Sequence, residues 1–581
     1  MAARRKEPTD ALLDLGRLRH GAVHASASSL DHYASRAYGH AVLWEALVAR
    51  GSGDGRLTVV SSDGVKQLAW GDLVRSAERA AKGLRDRGVR PGDRVGLVLT
   101  NSVEAIVGLA GVWFAGATVV SLPLIARGMA VDSYQAQISR VCEQASLALV
   151  VCDADLRELV TRPAVEIEVA SYEEVVDSAG AANPTPPPDD AVAFVQFSSG
   201  ATGEPRGAAL TTRAIEAQLT ALADAVAVDP GSDRVSAWLP LSHDMGLFGC
   251  VLLSWYTGTP LLLGTPQRFL ASPRTWLDDC AQFDATLSAI QPSALRLVSR
   301  GARIGADTAG KLSLRGCLVG GERIPARALD EAADLLARRG ATPTALTPAY
   351  GLAEATLAVS VGPIAEQPRV RALDREALWA GRVVEDPDPG REVRVVSCGP
   401  PLPGSYVAVE GPAAVGELHV RSPSLASGYL DDTSASATKF SGGSLATGDF
   451  GFIHDGEVYP LARTDDVLSV AGRRVNVLEV EEELSRHDEL RSGRCAIVDL
   501  ADDDRVRHVA LAELAEGDAD LRSLGQDLRR VALSAGGVPL DECVFVERGR
   551  FPKTASGKVQ RFRARELAGR ADAGRRVVLR D

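Results

Sequence analysis

The chain has 581 residues, of which 45% are hydrophobic and 24% charged, and its formal net charge is −12. This composition predicts a folded globular protein of at least two domains, because a single core rarely organises so long a chain. The acidic balance argues against a general nucleic-acid binder.

Helix and strand signals alternate through the first 150 residues. Asp63-Gly64 between two apolar runs predicts a hairpin, residues 73–84 have helical spacing, and 95–99 read as a buried strand. Further on, 106–115 predict a helix and 117–124 a strand. This alternation predicts stacked α/β layers with parallel strands.

We expect neither export nor a membrane span. The basic start, residues 1–7, is not followed by an apolar segment of signal-peptide length. The uncharged runs 105–126 and 245–267 are long, but glycine and proline interrupt both, which favours helices and strands of a soluble core. The eight cysteines are scattered without a Cys-x-x-Cys pair, which is typical of buried thiols in a reducing cytoplasm.

A polar, glycine-punctuated loop at residues 197–207 follows an apolar run. Glycines let backbone N–H groups converge on an anion, hydroxyls add donors, and an arginine adds permanent charge. The loop lacks the Gly-Lys-Ser/Thr ending of a Walker loop, and an ordinary hairpin turn is the alternative. The candidate phosphate ligands are Ser198, Ser199, Gly200, Thr202, Gly203 and Arg206.

Five further motifs follow this loop. They are Trp-Leu-Pro-Leu-Ser-His-Asp-Met-Gly-Leu at 238–247, Gly-Gly-Glu at 320–322, Tyr-Gly-Leu-Ala-Glu-Ala-Thr at 350–356, Thr-Gly-Asp at 447–449 and Pro-Lys-Thr-Ala-Ser-Gly-Lys at 552–558. The ordered set resembles the adenylate-forming superfamily, which includes acyl-CoA synthetases, peptide-synthetase adenylation domains, luciferases and fatty acyl-AMP ligases. The residue pattern of the first motif is most similar to that of the fatty acyl-AMP ligase branch.

The resemblance implies an α/β protein with a division near Asp465. Residues 1–464 would form a large N-terminal domain of stacked α/β subdomains with a small β-barrel, including strands at 415–420 and 425–429. Residues 465–581 would form a small, mobile α+β domain that rotates about Asp465.

The same motifs indicate a nucleotide site. Bare backbone at Gly320 and Gly321 allows a flat base to approach closely. Tyr350 offers a ring to stack on adenine, and Asp449 carries an acceptor pair for two ribose hydroxyls, although a plain turn Asp is the alternative. The resemblance adds three more nucleotide contacts, which are Glu322, Gly351 and Arg463.

Glu354 is the candidate Mg²⁺ ligand. It would lie one turn from Tyr350 if the segment were helical, and carboxylate oxygen suits Mg²⁺. A lone Glu on a helix is more often simply solvated. Thr202 is a possible second ligand of the metal.

The resemblance also assigns the groups that meet the substrate. It implies that Lys558 is the mobile catalytic cation and that His243 lies near the reacting carboxylate, with Met245 and Gly246 in the substrate pocket. Taken alone, an exposed lysine is usually solvated, and the His-Asp pair is explained equally well if Asp244 caps a helix.

The implied reaction is the activation of a carboxylic acid, and in this branch a fatty acid. ATP and Mg²⁺ would give acyl-AMP and pyrophosphate, and the acyl group would pass to the phosphopantetheine thiol of an acyl carrier protein. An insertion at 363–395 resembles the segment that restricts domain movement in fatty acyl-AMP ligases.

Two other functions stay open. An acyl-CoA synthetase would use free CoA, and the run 466–479 resembles CoA-ligase or peptide-synthetase chains. A degenerate paralogue would bind nucleotide without turnover, but intact Glu354, Asp449 and Lys558 argue against it. The basic end of the chain, net +6 over 551–581, is either a docking surface for an acidic carrier protein or a solvated tail.

Overall fold

Strands and helices alternate through the first half of the chain, as its hydrophobic pattern predicts. The structure is a computed structural model that describes residues 43–50, 55–125, 131–161, 167–178, 180–199, 205–302, 310–411, 413–470, 473–501, 506–515, 520–553, 559–570 and 574–579.

The described strands are β1 (Arg56–Ser61), β2 (Gly64–Ala69), β3 (Arg94–Leu97), β4 (Thr118–Ser121), β5 (Leu149–Cys152), β6 (Val169–Ser171), β7 (Val192–Ser199), β8 (Pro205–Thr211), β9 (Val235–Ala237), β10 (Leu261–Gly264), β11 (Leu287–Ile290), β12 (Gly316–Val319), β13 (Leu346–Gly351), β14 (Ala358–Val361), β15 (Val370–Asp374), β16 (Glu392–Val396), β17 (Tyr406–Val409), β18 (Val415–Arg421), β19 (Phe440–Ser441), β20 (Ser444–His454), β21 (Glu457–Arg463), β22 (Val467–Val470), β23 (Arg473–Asn476), β24 (Leu490–Ala501), β25 (Val506–Leu514), β26 (Glu542–Val546) and β27 (Arg575–Val578).

The described α-helices are α1 (Leu43–Ala49), α2 (Trp70–Asp86), α3 (Val103–Phe114), α4 (Val131–Ala145), α5 (Arg157–Val160), α6 (Tyr172–Val176), α7 (Thr212–Val226), α8 (Asp244–Gly246), α9 (Leu253–Thr257), α10 (Pro266–Ala271), α11 (Thr275–Gln282), α12 (Pro292–Ala302), α13 (Ala326–Arg338), α14 (Arg375–Trp379), α15 (Thr433–Lys439), α16 (Val477–Leu484), α17 (Leu521–Gly536) and α18 (Arg561–Gly569).

Two mainly parallel sheets form the scaffold. The larger has the strand order β14-β13-β12-β11-β9-β10-β1-β2 and the smaller the order β6-β5-β3-β4-β7-β8. The antiparallel neighbours are β13 with β14, β1 with β2, and β7 with β8. Strands β5 and β10 are buried along their whole length, as parallel strands covered on both faces require. The predicted α/β fold class is confirmed.

The carboxyl ends of the central strands bring several predicted motifs to one edge. Strands β9, β11, β12 and β13 are parallel neighbours, so their carboxyl ends point the same way. His243 follows β9, Gly320 follows β12, and Gly351 ends β13. In open α/β sheets, ligands bind in the crevice outside these ends.

The insertion at 363–395 forms a two-stranded sheet of its own, which packs against the small antiparallel sheet that follows it. Strands β15 and β16 pair with each other, with α14 between them, and β17 to β21 form a five-stranded sheet. Leu373 and Leu378 of the insertion share a buried cluster with Phe452 and Tyr459 of that sheet. The insertion is therefore a packed element rather than a loose loop.

The last part of the chain has its own cores. Among the described residues, the apolar clusters after the hinge region contain residues 468–579, and those before it extend no further than Leu461. Asp465, the predicted domain boundary, lies in the gap between the two sets. The mobility of the smaller part stays a prediction.

Most predicted local elements are confirmed. The hairpin at Asp63-Gly64 is β1 paired with β2, the helical run at 73–84 lies within α2, and Gly116 follows α3 with a positive φ of 88°. All eight cysteines are buried free thiols. Among the described residues, no helix has both the length and the apolar composition needed to cross a bilayer.

Two local predictions are wrong. Residues 425–429 form an irregular segment with a single bridge between Tyr429 and Ala208, since Gly428 adopts a φ of 148° that interrupts a strand. Tyr350 and Glu354 do not share a helix, because Tyr350 lies on β13 and Glu354 lies on a short 3₁₀ turn.

Replacing Glu481 by Gln should destabilise the C-terminal domain. The Arg561 guanidinium is buried and lies 2.7 Å from Glu481 Oε1 and 2.7 Å from Asp466 Oδ1. Removing one charge from such a pair should lower the free energy of local unfolding by about 3 kcal/mol. Hydrogen exchange of residues 468–579 measures this change, with Glu482→Gln on the exposed face of α16 as the control. Equal protection in the two variants would contradict the prediction.

Candidate functional site

A single connected cleft of about 2660 Å³ lies at the carboxyl edge of the central strands and is lined by residues from both domains. The sequence-predicted residues that line it are Arg206, His243, Met245, Gly320, Gly321, Glu322, Tyr350, Gly351, Glu354, Asp449, Arg463 and Asp465. Residues distant in sequence therefore share one cavity.

The remaining predicted residues lie elsewhere or outside the described residues. Gly246 is buried, and a Cβ there would come within 2.4 Å of the Pro240 carbonyl oxygen, so the position needs glycine for close packing. Ser198 and Ser199 end β7, whose partner β8 returns from the phosphate-loop segment. Gly200, Thr202, Gly203 and Lys558 lie outside the described residues.

One cluster of polar side chains joins β13 to β20 and β21. The Tyr350 hydroxyl donates to Asp449 Oδ2 at 2.7 Å, and Arg463 Nε lies 3.5 Å from Asp449 Oδ1. Burial, and then the Asp449 charge, raise the pKa of Tyr350 well above its usual value, so the phenol stays a donor. This contact fixes the Asp449 carboxylate at the cleft wall.

A second cluster surrounds Glu354. The Tyr429 hydroxyl donates to Glu354 Oε1 at 2.8 Å, and the Arg206 guanidinium carbon lies 5.6 Å from the centre of the Tyr429 ring. Arg206 Nε is also 4.0 Å from Asp432 Oδ2. A carboxylate and a permanent cation thus lie on either side of one tyrosine.

Sequence reasoning missed Tyr429. Gly428-Tyr429 was interpreted only as part of a barrel strand, and a tyrosine after a glycine carries no chemical signature of its own. The link to Glu354 spans 75 positions and could not be derived from local pattern.

The Glu322 carboxylate lines the cleft but is hydrogen-bonded to a neighbouring helix. Its oxygens accept hydrogen bonds from Ser293 N at 3.0 Å and Ser293 Oγ at 2.9 Å, so it holds the start of α12. Across the cleft, burial and the nearby Arg494 charge lower the pKa of Lys553, although Glu322 opposes the shift.

The His243 side chain lines the cleft together with apolar residues that follow it in the chain. Its Nδ1 is 2.6 Å from Asp244 Oδ1, and the same carboxylate oxygen accepts from Met245 N at 2.7 Å. The apolar lining includes Met245, Gly249, Cys250, Leu253 and Leu357. An apolar chain with a carboxylate head matches this combination of polar and apolar surfaces.

Comparisons with known proteins point the same way. A family model described as AMP-binding enzyme matches residues 47–430. A solved structure from a study of fatty acyl-adenylate ligases from E. coli and L. pneumophila is similar, with a TM-score of 0.82, 27% identity, and coverage of 90% of this chain and 97% of that one.

Curated relatives carry similar names. The long-chain-fatty-acid–AMP ligase FadD32 of Mycolicibacterium smegmatis is 27% identical over 88% of this chain and 91% of its own length. The medium-chain-fatty-acid–[acyl-carrier-protein] ligase JamA of Moorena producens is 31% identical over 65% of this chain and 67% of its own length.

Replacing Gly351 by Ala should disrupt the cleft. A Cβ at this position would lie 1.8 Å from the Leu357 carbonyl oxygen, so β13 and the turn that carries Glu354 must separate. We expect a stability loss of about 1–3 kcal/mol together with weaker ATP binding. Thermal unfolding and calorimetric titration with ATP measure both, and Gly231→Ala at an exposed turn is the control. A G351A protein with the parent's ATP affinity would contradict the prediction.

Proposed function

Because the chain belongs to the AMP-binding enzyme family and is an adenylate-forming ligase that activates a carboxylic acid with ATP, we propose that its acid is a fatty acid and its final acceptor a carrier-protein thiol. The first product would be a fatty acyl-AMP with release of pyrophosphate. The acyl group would then pass to the phosphopantetheine thiol of an acyl carrier protein.

The observation that carries this proposal is the shared cleft. Arg206, Glu354 and Asp449 line it, and so do His243 and the apolar residues that follow His243 in the chain. A carboxylate attacks an anionic triphosphate poorly, so the site must neutralise both charges and align the reacting atoms. The polar walls would neutralise and align the nucleotide, and the apolar lining would hold the acyl chain.

The described residues fit a bound Mg²⁺. Glu354 presents a carboxylate at the cleft, with one oxygen fixed by Tyr429, and Mg²⁺ prefers such hard oxygen ligands. Glu354 and Thr202 would hold the ion, which when bound supplies positive charge beside the phosphates. Asp449 would accept hydrogen bonds from the ribose hydroxyls.

Lys558 is the proposed catalytic cation. The residues on either side of its segment, Lys553 and Val559, pair in an antiparallel bridge, and both line the cleft. The chain between them therefore begins and ends at the cleft. An ammonium group there would stabilise negative charge on the α-phosphate as pyrophosphate leaves.

Replacing Lys558 by Ala should separate the two half-reactions. Acyl-AMP formation should fall about 10²–10³-fold, because a charge that stabilises the transition state is lost. Transfer from pre-formed acyl-AMP to a thiol should continue near the parent rate. Pyrophosphate release and intact-mass analysis measure the two steps, with Lys82→Ala, at a half-buried lysine that pairs with Asp86 outside the cleft, as the control. A K558A protein that forms adenylate at the parent rate would disprove the role.

The contacts between the C-terminal domain and the large domain support a carrier protein as acceptor. Glu479 on α16 of the C-terminal domain has one oxygen 3.1 Å from Arg323 Nη2 and the other 3.5 Å from Arg375 Nε of the insertion. The Arg474 guanidinium also lies 4.9 Å from the Phe450 ring centre. These contacts would hold the C-terminal domain against the large domain and its insertion, and would restrict the movement that opens a path for free CoA.

Free CoA remains the second candidate acceptor. The run 466–479 favours it, because it resembles the corresponding run of CoA-ligase chains. An intact-mass assay that offers carrier proteins and CoA side by side decides between the two acceptors.

Replacing Glu479 by Gln should shift acceptor choice towards CoA. The variant keeps the size of the side chain but removes the charge that attracts Arg323 and Arg375, so the C-terminal domain should rotate more freely. We expect the ratio of CoA thioester to carrier thioester to rise several-fold in a competition assay. Glu482→Gln on the same helix is the matched control. An unchanged ratio would show that these ion pairs do not govern acceptor choice.

A further inference from the structure

A short segment, residues 426–430, connects the two walls that carry the charged groups. The backbone N–H of Leu430 donates to the Gly207 carbonyl of β8 at 2.7 Å. The backbone N–H of Ala426 donates to the Glu354 carbonyl at 2.8 Å. One stretch of backbone therefore ties the strand that leaves the phosphate loop to the turn that carries the carboxylate.

The Tyr429 side chain lines the cleft and contacts both Glu354 and Arg206. Its hydroxyl is 2.8 Å from Glu354 Oε1, its ring lies beside the Arg206 guanidinium, and the Phe440 ring packs edge-on at 5.5 Å between centres. The phenol therefore donates a hydrogen bond to the Glu354 carboxylate from a position fixed by two aromatic contacts.

Both neighbours of Tyr429 need such a restraint. Glu354 lies on a 3₁₀ turn of only three residues, so no longer helix fixes the direction of its side chain. Arg206 has a long side chain with many rotamers, and its ion pair with Asp432 is as long as 4.0 Å. A hydrogen bond to an ionised group and a cation–π contact both fix direction as well as adding energy.

We propose that Tyr429 is a positioning residue that holds the Glu354 carboxylate and the Arg206 guanidinium at a fixed separation for the phosphates of ATP. This inference rests on the proposed function, in which those two groups neutralise the nucleotide. Tyr429 acts through Glu354 and Arg206 and takes no part in bond making.

The variant Tyr429→Phe isolates the hydroxyl. It keeps the ring beside Arg206 and removes the donor to Glu354. We expect acyl-AMP formation to fall at least about tenfold, since hydrogen bonds to charged groups are worth more than neutral ones. The dissociation constant of MgATP, measured by calorimetry, should rise by a similar factor, and half-maximal activation should need more Mg²⁺. Tyr406→Phe, at a half-buried tyrosine outside the cleft, should change none of these values.

A double variant distinguishes positioning from general destabilisation. If Tyr429 acts through Glu354, the double variant E354Q/Y429F should form acyl-AMP at the same rate as the single variant E354Q. The proposal would be overturned if the rate losses of E354Q and Y429F multiplied in the double variant. Unchanged MgATP affinity in Y429F would overturn it too. A wild-type protein that released no pyrophosphate with any acid would refute the proposed function instead, and MgATP titration of Y429F would still decide the role of Tyr429.

Discussion

The carboxylate of the substrate and the triphosphate of ATP repel each other, and the protein must bring them together. The rest of the structure depends on overcoming this repulsion. A carboxylate and a triphosphate approach only where fixed positive charge and excluded water lower the cost. The parallel strands satisfy this need by placing their carboxyl ends at one edge, where His243, Gly320 and Gly351 open onto a common cleft. Apolar residues line the same cleft next to His243 in the chain.

The polar walls of that cleft depend on two tyrosines. Tyr350 fixes Asp449, and Tyr429 fixes Glu354, at 2.7 and 2.8 Å respectively. Buried phenols can donate such hydrogen bonds, because burial raises their pKa and keeps them neutral beside a carboxylate. Both carboxylates line the cleft, and these hydrogen bonds fix one oxygen of each.

Much of the scaffold could be predicted from the sequence, because hydrophobic period and turn residues are local signals. The hairpin at Asp63-Gly64, the helix in 73–84 and the parallel layers all follow from spacing. The family resemblance, carried by six ordered motifs, is also confirmed by the comparisons.

Long-range contacts could not be predicted in the same way. The hydrogen bond between Tyr429 and Glu354 depends on how β8 meets an irregular segment more than 200 residues later, and nothing in the local pattern records it. The supposed helix after Tyr350 failed because β13 continues through Gly351 in close contact with the Leu357 carbonyl. Glu322 was predicted as a nucleotide contact, but its bonds to Ser293 could not be seen from the sequence.

The separation of the apolar cores at residue 465 affects how the molecule can move. In the part of the chain that the structure describes, the contacts of Glu479 and Arg474 with the large domain are ion pairs and a cation–aromatic contact, whereas each domain completes its own hydrophobic interior. Breaking polar contacts of this kind exposes no apolar core. If the small domain rotates as proposed, these ion pairs must open but both hydrophobic interiors stay dry, so a cycle of opening and closing need not approach the free energy of unfolding.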